Sequence, residues 1–313
     1  MAAKRTDRAP GSARSRRTYG IGLIAPAGFA TAPDAVARAV ARLEAEGHRV
    51  VVDPTASARW QRFSGSDEER LAALWRMAED PRIELVLAVR GGYGWSRLLD
   101  RIDFVRLAAT GKRWLGHSDC TAFQLAALAR AGMVSFAGPM AAYDFGAEVV
   151  SDYTMEHCWG LLGSERYTIE LPLEGSDLAA AGSLWGGNLT LLAHLVGTAY
   201  LPSVDGGILF VEDVGEHPYR LERMLYQLHY AGVLGRQKAL LLGAFTGYAP
   251  SANDNGYDLA AMIAHARARF GLPIFTGLPF GHCPDKLTLP VGGRCALTVH
   301  DGRARIELSH YGP

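Results

Sequence analysis

Three polar residues of this sequence each follow an apolar run of strand length, the position where catalytic groups lie in many α/β enzymes. Ser118 stands between a predicted strand and a predicted helix, Glu212 follows the apolar run GILFV, and His282 lies in the loop LPFGHC. A serine hydroxyl is neutral at pH 7 and needs a base, and an imidazole base needs a carboxylate to orient it. The order Ser…Glu…His therefore predicts a nucleophilic triad with Ser118 as the nucleophile.

Each of these residues also has an ordinary structural interpretation. Serine before a helix is most often its N-cap, and a carboxylate at the end of a strand often forms a salt bridge. Asp213 and Glu216 compete with Glu212 for the orienting role, and this chain has 10 histidines, most of which must be plain polar surface. The segment around Ser118 also departs from the G-x-S-x-G turn of α/β-hydrolases, because Cys120 occupies the position of the second glycine.

A glycine-rich segment at 90–94 (RGGYG) leaves the end of the predicted strand 84–89. Glycine lets backbone N–H groups approach a reacting carbonyl closely. We predict an oxyanion hole formed by the N–H of Gly91 or Gly92 together with the N–H of Asp119. A phosphate-binding loop is the alternative, but the segment has neither the Walker lysine pattern nor a G-x-G-x-x-G match.

Strands and helices alternate through the first half of the chain. A capping box at Ser66 and Glu69 marks one helix start. Alternation of this kind predicts a parallel, flavodoxin-like α/β sheet with its functional groups at the carboxyl ends of the strands. The predicted strands are 19–25, 48–52, 84–89, 112–115 and 133–136, and the predicted helices are 33–46, 66–78 and 121–131.

The second half changes character. It predicts strands at 206–211, 238–245 and 273–276, helices at 219–230 and 257–270, and a final β-hairpin, 295–300 with 303–308, around a type I′ turn at Asp301-Gly302. The segment 167–182 is interpreted as a crossing or linker. We therefore predict a disordered basic tail (1–18), an N-terminal α/β domain (19–165) and a C-terminal mixed α/β domain (166–313).

Composition limits the function classes. Hydrophobic residues make up 49% and charged residues 20%, and the 32 basic side chains balance the 32 acidic ones, which gives no reason to expect nucleic acid or an anionic membrane as partner. No apolar run approaches the roughly 20 residues that cross a bilayer. The 4 cysteines are too few for a disulfide scaffold of this size, which indicates a reducing compartment, the cytoplasm. They also lack C-x-x-C spacing, so we expect no zinc or other metal site.

The segment 15–32 resembles a twin-arginine export signal. Its apolar stretch is interrupted by Gly20, Gly22 and Pro26, which is unusual for the hydrophobic region of a signal. We expect a buried first strand here instead of a cleaved leader.

Five blocks of the sequence together resemble the LD-carboxypeptidase family, which includes the microcin C self-immunity hydrolases. They are RGGYGWSRLLDRID, GHSD, GGNLTLLAHLVGT, ILFVEDVGEHPYRLERMLYQL and LPFGHC, and the resemblance runs from about residue 20 to 308. It implies a serine peptidase with the triad Ser118, Glu212 and His282. It also implies a two-domain, usually dimeric protein that needs no cofactor or metal, with the active site between the domains.

The resemblance further implies a substrate. A murein tetrapeptide carboxypeptidase releases the terminal D-Ala from L-Ala-γ-D-Glu-meso-diaminopimelate-D-Ala in peptidoglycan recycling. The alternative within the family is hydrolysis of peptidyl or aminoacyl sulfamoyl-adenylates. Trp185, before Gly186, Gly187 and Asn188, is open to two interpretations, core packing or a cleft wall that stacks on a nucleotide. We include Trp185 and Asn188, with Arg90, among the expected substrate-binding residues.

Several points stay open from the sequence. His117 stands before the nucleophile, where the family often has an aromatic hydroxyl. A carboxypeptidase must bind a terminal carboxylate, and Arg90, Arg220 and Arg223 are candidates. Two other classes of protein are the alternatives. One is a cysteine amidotransferase that uses Cys120, but this residue lies two residues into the helix instead of at the corner. The other is a binding protein without activity, which the intact set of Ser118, Glu212 and His282 argues against.

Overall fold

A computed structural model describes residues 17–32 and 34–312. The predicted tail 1–18 therefore lies almost wholly outside the described residues. The first half contains β1 (Gly20–Ile24), α1 (Ala35–Ala45), β2 (Arg49–Val52), α2 (Asp67–Glu79), β3 (Leu85–Ala88), α3 (Phe104–Ala109), β4 (Arg113–Gly116), α4 (Cys120–Ala131), β5 (Ser135–Ala137) and α5 (Asp152–Leu162).

The first sheet has the strand order β2-β1-β3-β4-β5, and these strands are parallel. This is the flavodoxin-like order, and it confirms the fold class predicted for the first half of the chain. Leu23, Leu85 and Leu87 are fully buried, because helices cover both faces of the sheet. The capping box at the start of α2 is confirmed, with Glu69 N–H donating to Ser66 Oγ over 3.2 Å.

The second half contains β6 (Arg166–Pro172), β7 (Leu178–Asn188), α6 (Leu189–Leu195), β8 (Gly207–Val214), α7 (Pro218–Tyr230), β9 (Gln237–Thr246), α8 (Leu259–Arg269), β10 (Ile274–Thr276), β11 (Leu289–Val291), β12 (Arg294–His300) and β13 (Arg303–Ser309). A second sheet has the order β10-β9-β8-β7-β12-β13-β6. Strands β7 to β10 are parallel, and β7, β12, β13 and β6 pair antiparallel. The predicted hairpin is confirmed, and Asp301 (φ 47°) and Gly302 (φ 71°) form its turn.

The interpretation of 167–182 as a linker is wrong, because this segment forms most of β6 and the start of β7. Ile169 and Leu171 are buried whereas Thr168 and Glu170 are exposed. A strand of a sheet that covers the core with one face shows such alternation instead of a continuous apolar run.

Strand β11 joins the two halves of the chain. It comes from the second half but pairs antiparallel with β5, as an edge strand of the first sheet. The first sheet is therefore mixed and not purely parallel. The loop between β10 and β11 carries His282. It begins at a strand of the second sheet and ends at a strand of the first sheet. Among the described residues, no helix is both long and apolar enough to cross a bilayer.

Candidate active site

Ser118 occupies a sharp turn between β4 and α4. Its backbone lies in the left-handed region (φ 62°), which is uncommon for a residue with a side chain. The N-cap of α4 is Asp119, so the interpretation of Ser118 as a plain cap is wrong. The Ser118 Oγ lies 3.1 Å from Nε2 of His282. The turn thus holds the hydroxyl against an imidazole from the other half of the chain.

A buried carboxylate orients that imidazole. Glu212 lies at the carboxyl end of β8 with no exposed surface, and its Oε2 is 2.7 Å from His282 Nδ1. An ionised carboxylate only accepts hydrogen bonds, so Nδ1 carries the proton and Nε2 is free to accept from the serine hydroxyl. In this tautomer the three groups can move a proton from Ser118 to His282.

The two competing acidic residues have other partners. Asp213 accepts from Asn188 Nδ2 (2.9 Å) and from the N–H of Thr190 (2.8 Å). Glu216 forms an ion pair with Arg220. Of the three acidic candidates, only Glu212 contacts the imidazole.

The glycine-rich segment packs directly on Ser118. A Cβ added at Gly91 would lie 2.7 Å from Ser118 Cβ and 2.9 Å from its Oγ. The Gly91 carbonyl accepts from the N–H of Gly28 over 3.1 Å. Because a trans peptide is planar, the N–H of Gly92 points in the opposite direction from that carbonyl. Within the described chain, neither this N–H nor that of Asp119 donates to a protein acceptor, so both are free for an anion.

The Asp119 side chain ties the segment to the turn. Its Oδ2 accepts from the N–H of Trp95 over 3.0 Å. Burial raises the pKa of Asp119 to about 6, although the N–H groups of Trp95 and Gly94 and the charge of Arg70 act in the opposite direction.

A second imidazole, His117, lies beside His282, with the ring centres 5.1 Å apart. His117 is buried, and its Nδ1 is 2.9 Å from the carbonyl of Gly138, which can only accept. Burial, followed by the positive charge of Lys286 and the neighbouring His282, lowers the pKa of His117 well below its ordinary value. His117 is therefore a neutral ring whose Nε2 is an acceptor.

The cysteine alternative has no support in the site. Cys120 is buried in the first turn of α4, and burial raises the pKa of its thiol to about 12. A cysteine nucleophile needs the thiolate.

A cavity of about 650 Å³ opens at Ser118 and His282. Its charged lining residues are Arg90, Asp144 and Lys286. Arg90 donates from Nη1 to the carbonyl of Phe29 (3.0 Å), and its guanidinium lies 5.6 Å from the centre of the Tyr143 ring.

Two expected substrate-binding residues do not reach this cavity. Trp185 has no exposed surface and donates from Nε1 to Gln237 (2.8 Å), so the cleft-wall interpretation is wrong and core packing is correct. Asn188 is buried as the N-cap of α6, and its Nδ2 donates to Glu212 Oε1 over 3.2 Å. Asn188 therefore positions the carboxylate and does not contact a ligand in the cavity.

Of the three arginines that were candidates to bind the terminal carboxylate of a substrate, only Arg90 lines the cavity. Arg220 is paired with Glu216, and Arg223 is exposed elsewhere. Sequence reasoning missed the buried Lys286, whose single signal was its position four residues after His282.

Comparison with known proteins bears directly on this site. The family model described as "LD-carboxypeptidase N-terminal domain" matches residues 21–138, and the "LD-carboxypeptidase C-terminal domain" matches residues 181–297. The chain belongs to the LD-carboxypeptidase family. The chain is also similar to a "Probable murein peptide carboxypeptidase" of Bacillus subtilis and to the "Murein tetrapeptide carboxypeptidase" of Pseudomonas aeruginosa. The first is 31% identical, covering 92% of this chain and 91% of the relative, and the second is 33% identical, covering 88% and 92%.

Two solved structures share the fold of this chain. The muramoyltetrapeptide carboxypeptidase of Oxalobacter formigenes is 44% identical, covers 94% of this chain and 100% of its own, and superposes with a TM-score of 0.89. The wild-type microcin C7 self immunity protein MccF is 23% identical over 94% of this chain and 97% of its own, with a TM-score of 0.86. This second likeness shows a shared fold only.

Proposed function

We propose that this LD-carboxypeptidase family member is a serine carboxypeptidase that releases the terminal D-Ala from the murein tetrapeptide. The observation that carries the proposal is the continuous set of contacts from Ser118 Oγ through His282 to the buried Glu212 at the wall of the cavity. The names of the relatives in Pseudomonas aeruginosa and Oxalobacter formigenes support the substrate.

The geometry supports a two-step mechanism. Ser118 Oγ attacks the carbonyl carbon of diaminopimelate while His282 Nε2 takes the hydroxyl proton. The N–H groups of Gly92 and Asp119 stabilise the resulting oxyanion. His282 then gives its proton to the nitrogen of D-Ala, which leaves as the amine, and an ester remains on Ser118. A water molecule, deprotonated by His282, hydrolyses that ester and restores the serine hydroxyl.

The terminal carboxylate of the substrate needs a cation, and Arg90 is the proposed partner. Its guanidinium lines the cavity, and no carboxylate of the described chain forms an ion pair with it. A guanidinium binds a carboxylate through charge-assisted hydrogen bonds.

The runner-up substrate is a peptidyl or aminoacyl sulfamoyl-adenylate. The feature that favoured it was an aromatic wall at Trp185, and that side chain lies in the core. The aromatic ring that does line the cavity, Tyr143, has the Arg90 guanidinium beside it. The tetrapeptide is therefore the better supported substrate.

The test is incubation of the purified protein with each substrate type, followed by mass spectrometry. We expect the tripeptide and free D-Ala from the tetrapeptide, no cleavage of the sulfamoyl-adenylate, and no product with Ser118→Ala. Cleavage of the sulfamoyl-adenylate with the tetrapeptide intact would reverse the assignment.

The setting of the reaction is proposed on the family resemblance. We propose recycling of peptidoglycan peptides in the cytoplasm by a homodimer. Cell fractionation and light scattering of the purified protein test the location and the oligomeric state separately.

A further inference from the structure

The cavity contains a charged pair that the mechanism above does not use. Asp144 lies in a single-turn helix, Ala141–Phe145, and Lys286 lies in the loop between β10 and β11. The two side chains are only 7% and 5% exposed, form an ion pair through Oδ1 and Nζ, and both line the cavity.

Protein groups do not use up the hydrogen-bonding capacity of this pair. Asp144 Oδ2 accepts from the N–H of Met140 over 2.7 Å, and the N–H of Lys286 donates to Thr154 Oγ1 over 2.9 Å, so the backbone holds both residues in place. Within the described chain, Asp144 is the single acceptor for Lys286 Nζ. An ammonium group has three donors, so two remain for a ligand.

The pair lines the same cavity as Ser118 and His282, so one bound substrate can contact both places. The charge of Lys286 lowers the pKa of His117, which precedes Ser118 in the chain. A buried ion pair also adds little to stability in general, because desolvation offsets its attraction. An ion pair in a cavity wall beside a nucleophile therefore indicates a charged ligand group.

The charges of the wall match those of the proposed substrate. Among the described lining residues, Asp144 is the one carboxylate, and Lys286 and Arg90 are the lysine and arginine. Near the scissile bond, the tetrapeptide has two carboxylates, on D-Ala and on the diaminopimelate side chain, and one ammonium, at the end of that side chain.

Resting on the proposed function, we infer that Asp144 and Lys286 bind the free amino acid group at the end of the diaminopimelate side chain. Asp144 accepts from its ammonium and Lys286 donates to its carboxylate, while Arg90 binds the terminal carboxylate of D-Ala. The pair thereby selects the third residue of the peptide.

Three tetrapeptides that differ only at the third residue test this selection with the wild-type protein. Lysine is diaminopimelate without the side-chain carboxylate, and 2-aminopimelate is diaminopimelate without the side-chain ammonium. We expect kcat/KM for D-Ala release to fall about 10- to 100-fold for each loss, the usual range for a charge-assisted contact.

Variants of Asp144 and Lys286 test whether this pair causes the preference for diaminopimelate. In Lys286→Gln, the preference for diaminopimelate over lysine should fall to within about 3-fold, while the preference over 2-aminopimelate stays. In Asp144→Asn/Lys286→Met, which leaves no lone buried charge, all three substrates should react alike. Arg76→Met is the control for Lys286→Gln. It leaves the buried carboxylate of Asp53 without its ion-pair partner, but neither residue lines the cavity, so both substrate preferences should stay.

The outcomes separate the two proposals. Absence of D-Ala release from every tetrapeptide by the wild type contradicts the proposed function. Equal release from all three by the wild type contradicts the inference alone, and so does a preference over lysine that survives in Lys286→Gln.

Discussion

Two adjacent carboxylates in β8 have different surroundings. Glu212 contacts His282, whereas Asp213 accepts hydrogen bonds from Asn188 and Thr190. Neighbouring side chains of a strand point to opposite faces, so one residue of shift in this strand would exchange their partners.

Glu212→Gln should lower kcat by roughly 10²–10⁴ with little change in KM, because the amide no longer stabilises the imidazolium that forms as the Ser118 proton leaves. Steady-state kinetics of D-Ala release measures the effect. Glu216→Gln is the matched control, since its carboxylate is paired with Arg220. Wild-type rates in Glu212→Gln would show that another group orients His282.

At the level of elements, the turn before α4 and the glycine-rich segment after β3 form the proposed site together. The sequence predicts both elements, because each follows a buried strand of the same parallel sheet. Their contact is closer than sequence reasoning predicts. Gly91 has no space for a Cβ, and the Asp119 carboxylate accepts from Trp95 at the far end of the segment.

Gly91→Ala should lower kcat by roughly 10²–10³, the usual cost of a lost oxyanion contact, since the methyl group would displace Ser118 or the segment. Gly235→Ala is the control, because a Cβ there meets no atom within 4 Å. Thermal unfolding of both variants separates a loss of activity from a loss of folding. Full activity in Gly91→Ala would contradict the proposed oxyanion hole.

Asp119 should give the stability a distinct pH dependence. Its pKa in the folded protein, about 6, is above the ordinary value of 3.8, so the folded state binds the proton more tightly. Stability from this group is present below pH 4 and is lost as pH rises to 6, by on the order of 3 kcal/mol. Urea unfolding should show that the wild type becomes less stable relative to Asp119→Asn as pH rises across this window, because only the wild type has a group that ionises there. A constant difference would contradict the raised pKa.

The elements that the sequence did not predict differ in physical cause. Local pattern identifies strands with continuous apolar runs, such as β3, because burial on both faces requires them. Strand β6 contains no such run, because its apolar residues alternate with exposed ones, a pattern typical of a half-buried strand and also present in the predicted hairpin. Strand β11 has only three residues, and its pairing with β5 depends on the fold of the other half of the chain. The burial of Trp185 likewise depends on its contact with Gln237, a residue distant in sequence.

At the scale of the whole molecule, the site exists only when both halves of the chain come together. Ser118 belongs to the first half, Glu212 and His282 belong to the second, and β11 completes the first sheet. Residues that meet only through such long-range contacts can be predicted from motif order but not from local propensity.

This interdependence predicts a single cooperative unfolding transition. Of the 6 tryptophans, only Trp185 lies after residue 165, so tryptophan fluorescence mainly reports on the first half, whereas far-UV circular dichroism reports on both. We expect the two unfolding curves in urea to coincide, as they do for a two-state protein. Two separate transitions would show that the halves fold independently.

Ser118 is the proposed nucleophile, and a comparison of two variants with the wild type tests this role. The rate of D-Ala release from the murein tetrapeptide is measured for Ser118→Ala and Cys120→Ala beside the wild type. We predict that Ser118→Ala loses roughly 10⁴–10⁶ in kcat while remaining folded, and that Cys120→Ala retains most of the activity. More than about a tenth of wild-type activity in Ser118→Ala, with Cys120→Ala inactive, would contradict the account.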